Sequence, residues 1–183
     1  MSPQILRGFL FYKMRRIGLI SDTHNFLDNE VFRYFEHCDE IWHAGDFGNI
    51  GLAEKLSAFK PLKGVYGNID GYDVRSVYPE LLRWQCENVE VIMCHIGGYP
   101  GKYTPIVKAE MKKSPPKLFI SGHSHILKII FDKENDCLHI NPGAAGREGW
   151  HKLRTLVMFN IDDADIKDCR IIELHPRYPP ASS

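Results

Sequence analysis

The fold of this chain is decided by the stretch IGLISDTH at residues 17–24. Its first half is a short apolar run bounded by polar residues, and this pattern predicts a buried strand. Polar groups that follow such a strand emerge at its C-terminal end, where α/β proteins place their sites. Asp22 and His24 are therefore expected in one loop, where a carboxylate oxygen and an imidazole nitrogen can reach the same divalent ion. A single Asp-x-His pair is a weak signal, so the same chemistry must return after later strands.

The first half of the chain alternates between predicted strands and predicted helices. Strands are expected at 17–20, 40–43 and 62–66, with helices over 25–37 and 52–59 between them. This spacing predicts parallel strands joined by right-handed crossovers. Asp46 follows the second strand and Asn68 follows the third, so both are expected at the same sheet edge as Asp22.

The second half has the pattern of hairpins. Paired strands are predicted at 82–86 with 89–94, 128–132 with 137–140 and 153–161 with 166–174. Another strand, at 118–120, follows a helix that starts at Thr104-Pro105 and runs to about residue 112. His95 directly follows one of these strands, and His123 and His125 follow another. Metal-capable groups therefore recur after five separate strands.

Composition places the chain among globular proteins. A length of 183 residues suits one domain, and 44% hydrophobic with 25% charged residues is ordinary. Lys and Arg (23) balance Asp and Glu (23), so no net field recruits nucleic acid or an anionic membrane. Five scattered cysteines predict no disulfide framework and a reducing compartment, the cytoplasm.

The N-terminal 13 residues are apolar but are interrupted by Arg7 and lack a small-residue cleavage site, which makes them a poor signal peptide. We interpret residues 1–13 as an extension, or an upstream start, ahead of a single domain over 14–183. No stretch approaches the ~20 apolar residues of a membrane span, so no membrane partner is expected.

The candidate ligands are more numerous than one ion usually takes from a protein. They comprise two carboxylates, four imidazoles and one amide: Asp22, His24, Asp46, Asn68, His95, His123 and His125. Such a set fits two ions, and two metals about 3.5 to 4 Å apart suit an in-line phosphoryl displacement. Two divalent ions less two carboxylates and one hydroxide leave a local charge of about +1, which would attract an anionic phosphoester.

Five motifs in a fixed order carry a family resemblance: DTH at 22–24, GD at 45–46, GNID at 67–70, His95, and GHSH at 122–125. With NPG at 141–143, they resemble the calcineurin-like metallophosphoesterase superfamily, in particular its small bacterial and archaeal phosphodiesterase branch. The resemblance covers about residues 15 to 174. It implies an α/β fold, an α/β/β/α sandwich of two mixed sheets flanked by helices.

The resemblance also implies ligand roles. Asp22, His24 and His125 would hold the first metal, Asp46 would bridge, and Asn68, His95 and His123 would hold the second. The nucleophile would be a hydroxide bound to this dinuclear centre, with no protein Ser or Cys attacking. Manganese is the first choice of ion, and iron, zinc, cobalt or nickel also suit these ligands.

Three positions depart from the family pattern. Ile69 stands where many members carry a His thought to protonate the leaving group, so we expect a preference for leaving groups that need little acid help. Gly97 replaces a frequent second His of the fourth motif, which either widens the pocket or removes a contact. Ala144 stands where a Ser is common, so no side-chain hydroxyl contact is expected there.

Asp70 and Arg147 each have a structural and a functional interpretation, whereas His43 and the tryptophans are interpreted structurally. Asp70 either orients a ligand His or caps the turn after Asn68. Arg147 either clamps a phosphate oxygen or is a solvated loop arginine. His43, at a strand end, is interpreted as a packed or supporting histidine. The tryptophans Trp42, Trp84 and Trp150 are expected in the core or in hairpins.

The function that the sequence favours is metal-dependent hydrolysis of a small phosphoester, most simply a phosphodiester. The alternatives are a phosphomonoesterase, a nuclease, or a protein-assembly scaffold like the retromer subunit that shares this fold. A scaffold would have eroded ligands, whereas all seven positions hold competent types. Balanced charge argues against a long nucleic-acid polymer as partner. A homo-oligomer is left open.

Overall fold

Ten strands and four helices make up the part of the chain that the computed structural model describes, residues 14–150 and 152–175. The strands are β1 (Arg15–Ile20), β2 (Glu40–His43), β3 (Leu62–Gly64), β4 (Leu81–Cys86), β5 (Val89–Cys94), β6 (Leu118–Ile120), β7 (Leu127–Asp132), β8 (Cys137–Pro142), β9 (Thr155–Asp162) and β10 (Asp165–Glu173). The helices are α1 (Asn29–Phe35), α2 (Ile50–Phe59), α3 (Tyr72–Arg75) and α4 (Pro105–Lys113).

The strands form two five-stranded mixed sheets. The first has the order β10-β9-β1-β2-β3, in which β1, β2 and β3 are parallel and β9 runs antiparallel to β1. The second has the order β4-β5-β6-β8-β7, with β5, β6 and β8 parallel. Parallel strands end at the same edge of their sheet, so both sheets bring polar loops to one edge.

The two sheets face each other across the main core. Ile17, Leu19 and Trp42 of the first sheet pack in one cluster with Met93 and Ile120 of the second. Separate clusters join the first sheet to α1 and α2 and the second sheet to α4, so the helices cover the outer faces. The predicted α/β sandwich of two mixed sheets flanked by helices is confirmed.

Several predicted element bounds need correction. The helix expected over 25–37 begins only at Asn29, because Asn25 has a positive φ of 64° and belongs to the preceding loop. Strand β3 stops at Gly64 instead of residue 66, and the short helix α3 was not predicted. The start of α4 at Pro105 is confirmed, although the Thr104 side chain does not cap the helix.

The tryptophans divide between the core and the surface. Trp42 and Trp84 pack edge to face with ring centroids 4.8 Å apart. The prediction that Trp150 lies in the core or in a hairpin is wrong, because its side chain is fully exposed in the connection between β8 and β9. The predicted extension, residues 1–13, lies outside the described residues, as do residue 151 and the tail from 176. No helix within the described ranges has the length and apolar character needed to cross a membrane.

Candidate metal centre

The loops that follow the parallel strands meet at one edge of the sandwich. After β1 and β2 the two loops continue to pair, through bonds from Asp22 N–H to Gly45 O (3.0 Å) and from His24 N–H to Asp46 O (3.0 Å). In the second sheet, Gly122 N–H donates to His95 O at 3.0 Å. The His123 N–H donates to the Asp22 carboxylate at 3.1 Å and so joins the two sheets.

An unusual backbone conformation marks most candidate ligands. Five of the seven have a left-handed φ between 46° and 68°: Asp22, His24, Asp46, His123 and His125. Residues other than Gly adopt this region rarely, at a cost of about 1–3 kcal/mol each, and such residues cluster at functional sites. Half of the ten non-glycine residues that have a positive φ in the described ranges are therefore candidate ligands.

Asp22 is the most deeply buried member of this group. Its Oδ2 accepts hydrogen bonds from Ser21 Oγ (2.7 Å) and from the His123 N–H, whereas its buried Oδ1 has no hydrogen-bond partner. Instead Oδ1 faces three imidazole Nε2 atoms, those of His125 at 3.2 Å and of His24 and His95 at 3.9 Å. Burial would raise the pKa of Asp22, but the contacts with these imidazoles outweigh it and hold the pKa well below its usual range.

Asp46 lies between imidazoles that come from opposite sheets. Its Oδ2 is 3.2 Å from His95 Nε2 and 3.5 Å from His24 Nε2, and its Oδ1 accepts the Ile69 N–H at 3.1 Å. Burial opposes ionisation of Asp46, yet His95 lowers its pKa overall. Asp46 Oδ2 therefore lies between one imidazole of each candidate ligand group.

The tautomer of His95 is set by its surroundings. Its Nδ1 donates to the carbonyl of Ala44 at 2.8 Å, so Nε2 is the nitrogen that faces the carboxylates. Asn68 Oδ1 lies 3.1 Å from the same Nε2, which brings the amide into the cluster. Burial would lower the pKa of His95, but Asp46 and Asp22 raise it more.

His24 and His125 form the other side of the cluster. Their Nε2 atoms are only 3.3 Å apart, with the rings edge to face. Burial would lower the pKa of His24, but the neighbouring Asp22 and Asp46 raise it. Two imidazole nitrogens that point at one place beside a carboxylate suit a shared cation.

His123 is less closely held than the other candidates. Its ring packs edge to face on His95, with centroids 5.3 Å apart, and the side chain is exposed. Burial and the nearby positive charge of His95 lower its pKa. Of the predicted ligands, five fall into two groups whose ligand atoms lie within 4.8 Å: Asp22, His24 and His125, and Asp22, Asp46 and His95. Asn68 adjoins the second group, and His123 lies next to it.

Residues behind the cluster fix the loops. Asp70 accepts N–H groups from Gly67 (2.7 Å) and Gly48 (2.8 Å), so it caps the turn and orients no histidine. Arg75, which was not predicted as a site residue, donates to the carbonyl of Asp70 at 2.6 Å and to that of Asn68 at 3.2 Å. An arginine at the end of a four-residue helix has no recognisable motif, so only the structure identifies this role.

His43 is a buried supporting residue, as interpreted from the sequence. Its Nδ1 accepts the Gly45 N–H at 3.1 Å, so the proton lies on Nε2, which faces Thr23 Oγ1 at 3.0 Å. Its ring stacks on Phe47. Burial lowers the pKa of His43 to about 3, so the imidazole is neutral at physiological pH.

Two glycines allow the backbone to approach the carboxylates. A Cβ on Gly67 would overlap the Asp46 carboxylate, and a Cβ on Gly122 would overlap Ser21 Oγ. Gly97, a departure from the family pattern, packs against Phe119 and lines a cavity beside His123. Any larger side chain at these positions would displace a neighbour of the cluster.

Arg147 lies beside the loop that carries His24. Its guanidinium sits 4.0 Å from the ring centroid of Phe26, a cation–π arrangement. This contact places Arg147 beside the loop that carries His24. Ala144 is fully buried.

The arrangement fits divalent cations. A buried carboxylate oxygen without a hydrogen bond faces several imidazole nitrogens, and a cation would satisfy both kinds of lone pair at once. The fold and this cluster define an α/β sandwich with a candidate metal-binding edge. Within that class the family is known: residues 14–164 match the calcineurin-like phosphoesterase superfamily domain, and the chain belongs to that superfamily.

Known relatives agree with this assignment. A probable metallophosphoesterase of Methanocaldococcus jannaschii is 30% identical over 133 residues, which cover 70% of this chain and 67% of the relative. A novel archaeal phosphodiesterase has a similar structure, with a TM-score of 0.67 and 20% identity over 87% of this chain and 99% of that one. Vps29 from Entamoeba histolytica, in complex with zinc, gives a TM-score of 0.63 and 15% identity over 86% and 98%. At such identities the two solved structures support the fold.

Proposed function

We propose that the protein is a metal-dependent phosphodiesterase that acts on small phosphodiesters through two divalent ions. The observation that carries the proposal is Asp22 Oδ1, a buried, unbonded carboxylate oxygen that belongs to both candidate ligand groups. Membership of a phosphoesterase superfamily and the likeness to an archaeal phosphodiesterase support it. The expected cellular site of action is the cytoplasm.

The residues proposed to hold the ions combine the two groups with the neighbouring Asn68 and His123. Asp22, His24 and His125 would bind one ion, and His95, Asn68 and His123 the other, with Asp46 between them. Manganese is our first choice, with iron, zinc, cobalt or nickel as alternatives. When bound, two such ions supply a water of lowered pKa and offset the negative charge that develops on the phosphoryl group.

The chain's own groups then determine which esters react. Asp46 and Asp22 set the charge of the centre, and the Ala44 carbonyl and the Asp46 loop orient His95. Ile69 follows Asn68 directly and is 43% exposed at the edge of the site. Since an isoleucine cannot donate a proton, leaving groups that depart without acid help are favoured. Arg147 is kept as a candidate contact to a phosphate oxygen.

Hydrolysis of bis(p-nitrophenyl) phosphate and of p-nitrophenyl phosphate tests this function. The protein is stripped with a chelator and reloaded with manganese, and His123→Ala serves as the variant. We expect diester turnover that needs metal, exceeds monoester turnover and falls in the variant. Higher monoester turnover would identify a phosphomonoesterase instead.

Replacement of Ile69 by His tests the missing acid. Methyl phenyl phosphate is a diester whose leaving group is poorer than p-nitrophenolate. Because a histidine at position 69 can protonate the departing oxygen, Ile69→His should raise kcat on this diester by about 10²-fold. Turnover of bis(p-nitrophenyl) phosphate should change little. Ile69→Asn, which adds polarity without a titratable proton, is the matched control. Equal rates for both variants on the phenyl ester would contradict the assignment.

A scaffold is the second candidate function. The likeness to Vps29, a protein named for vacuolar sorting, favours it. A scaffold would bind ions without turning over either ester. Metal retention by dialysis together with no hydrolysis in manganese, zinc, cobalt, nickel or ferrous iron would support the scaffold and refute the phosphodiesterase.

A further inference from the structure

A cavity of about 200 Å³ adjoins the metal centre on the side of His123. Its walls come from residues 96–99, the loop at 122–124, and strands β7 and β8. Its described lining includes Lys128 and contains no Asp or Glu. A second cavity of about 220 Å³, beside Asn68, is lined by both Arg75 and Glu80. The cavity beside His123, here called the Lys128 cavity, is therefore the one of these two with an unbalanced positive charge.

Lys128 is held in place without being neutralised. Its Nζ lies 3.8 Å from the ring centroid of Tyr99, and the aromatic face fixes the ammonium by a cation–π contact. Within the described ranges, Lys128 forms no ion pair with a carboxylate. A lysine in this state keeps N–H donors and a full charge for a ligand.

Ser124 supplies a second donor to the same cavity. Its Oγ accepts hydrogen bonds from the Ile126 N–H (3.3 Å) and from Asn141 Nδ2 (3.2 Å). With the acceptor side of the hydroxyl engaged, the O–H of Ser124 is left to donate. Asn141 also donates to the Gly122 carbonyl at 2.7 Å, which fixes the loop between β6 and β7.

The sheet determines how these donors are arranged. Asn141 of β8 lies directly opposite Lys128 of β7 in the strand register. The same asparagine is bonded to Ser124, so the ammonium and the hydroxyl are positioned by one rigid hairpin. His123, which also lines the cavity, packs against His95 of the metal centre. A ligand at the centre can therefore extend into the cavity.

We propose that the Lys128 cavity binds a second anionic group of the substrate. The preferred substrates are then phosphodiesters in which one ester group carries a further phosphate or carboxylate. Lys128 and Ser124 bind that anion by charge-assisted and neutral hydrogen bonds, while the diester lies at the metal centre. This inference extends the proposed phosphodiesterase function and depends on it for the reaction, though not for anion binding.

A matched pair of substrates tests the inference in the manganese-loaded protein. The pair is thymidine 5′-(p-nitrophenyl phosphate) with and without a 3′-phosphate. A third substrate, the 3′-hemisuccinate, carries a carboxylate in place of that phosphate and shows which of the two anions is preferred. We expect kcat/KM to be about tenfold higher with the 3′-phosphate, as the gain of one charged hydrogen bond predicts. Lys128→Gln should abolish this preference, and Lys128→Arg should retain it. Lys108→Gln, at an exposed lysine of α4, is the control.

A binding measurement separates this inference from the reaction. Calorimetry should show thymidine 3′,5′-bisphosphate binding about tenfold more tightly than thymidine 5′-monophosphate, and only in proteins with Lys or Arg at 128. Equal affinities, or a preference that Lys128→Gln retains, would overturn the proposal. If neither ester is hydrolysed but the affinity difference holds, the phosphodiesterase function fails and the anion site stands.

Discussion

Asp22→Asn should lower kcat/KM for bis(p-nitrophenyl) phosphate at least about 10³-fold, equivalent to about 4 kcal/mol of transition-state stabilisation. The substitution keeps the shape of the side chain but removes its charge. Asp22 Oδ1 is buried, has no hydrogen bond and faces three imidazole nitrogens, so an amide there offers either a weak ligand or an N–H that repels a cation.

Metal content is the second readout for this variant. After dialysis against a weak chelator, Asp22→Asn should retain less divalent metal than the wild type, measured by atomic emission. The matched control is Asp136→Asn, at an exposed aspartate whose ion pair with Lys117 is 3.5 Å long. That variant should keep both metal and activity. An Asp22→Asn protein with wild-type metal content and more than a tenth of the activity would refute the role of Asp22.

Asp28→Ala should lower the free energy of unfolding by about 3 kcal/mol. The Asp28 carboxylate accepts a hydrogen bond from Arg154 Nη2 at 2.8 Å and caps α1 through the Glu30 N–H at 3.1 Å. Arg154 is only 1% exposed, and its other hydrogen bonds go to backbone carbonyls. Without Asp28 the buried guanidinium has no anion, which costs more than the ion pair contributes.

Urea denaturation measures this loss of stability. The variant Asp28→Asn separates the contribution of the charge from that of the helix cap. The amide oxygen can still accept the Glu30 N–H, so Asp28→Asn should lose about 2 kcal/mol from the charge alone. A loss below about 0.5 kcal/mol for Asp28→Ala, the range of neutral surface substitutions, would show that the Arg154 contact contributes little.

The same pair predicts a pH dependence. Burial would raise the pKa of Asp28, but the Glu30 N–H and Arg154 lower it overall. A depressed pKa in the folded state means that the stabilisation is complete above the unfolded value of about 3.9 and is lost as pH falls through the folded pKa. The difference in stability between wild type and Asp28→Asn should therefore shrink below about pH 4.

The strands and the edge that carries the site were predictable because the sequence marks both. Short apolar runs such as residues 17–20 indicate buried strands, and Asp22 and Asp46 lie two and three residues after the ends of β1 and β2. Parallel strand ends then have to meet, which brings side chains from distant segments together. The assignment of these side chains as metal ligands stays a prediction.

Other features depend on backbone geometry that residue patterns do not encode. The loop after β1 has positive φ at Asp22, His24 and Asn25, and this delays the start of α1. The role of Arg75 depends on three carbonyls that its own loop turns toward it. Trp150 was expected in the core or in a hairpin from its type alone, yet it lies in a loop and its side chain is exposed to solvent.

The division of the candidate ligands between two sheets has a consequence for biosynthesis. Asp22, Asp46 and Asn68 follow strands of the first sheet, whereas His95 and His125 follow strands of the second. Strand β1 also lacks its partner β9 until residues 155–162 have left the ribosome. A nascent chain therefore carries only fragments of the candidate site until β9 has been synthesised.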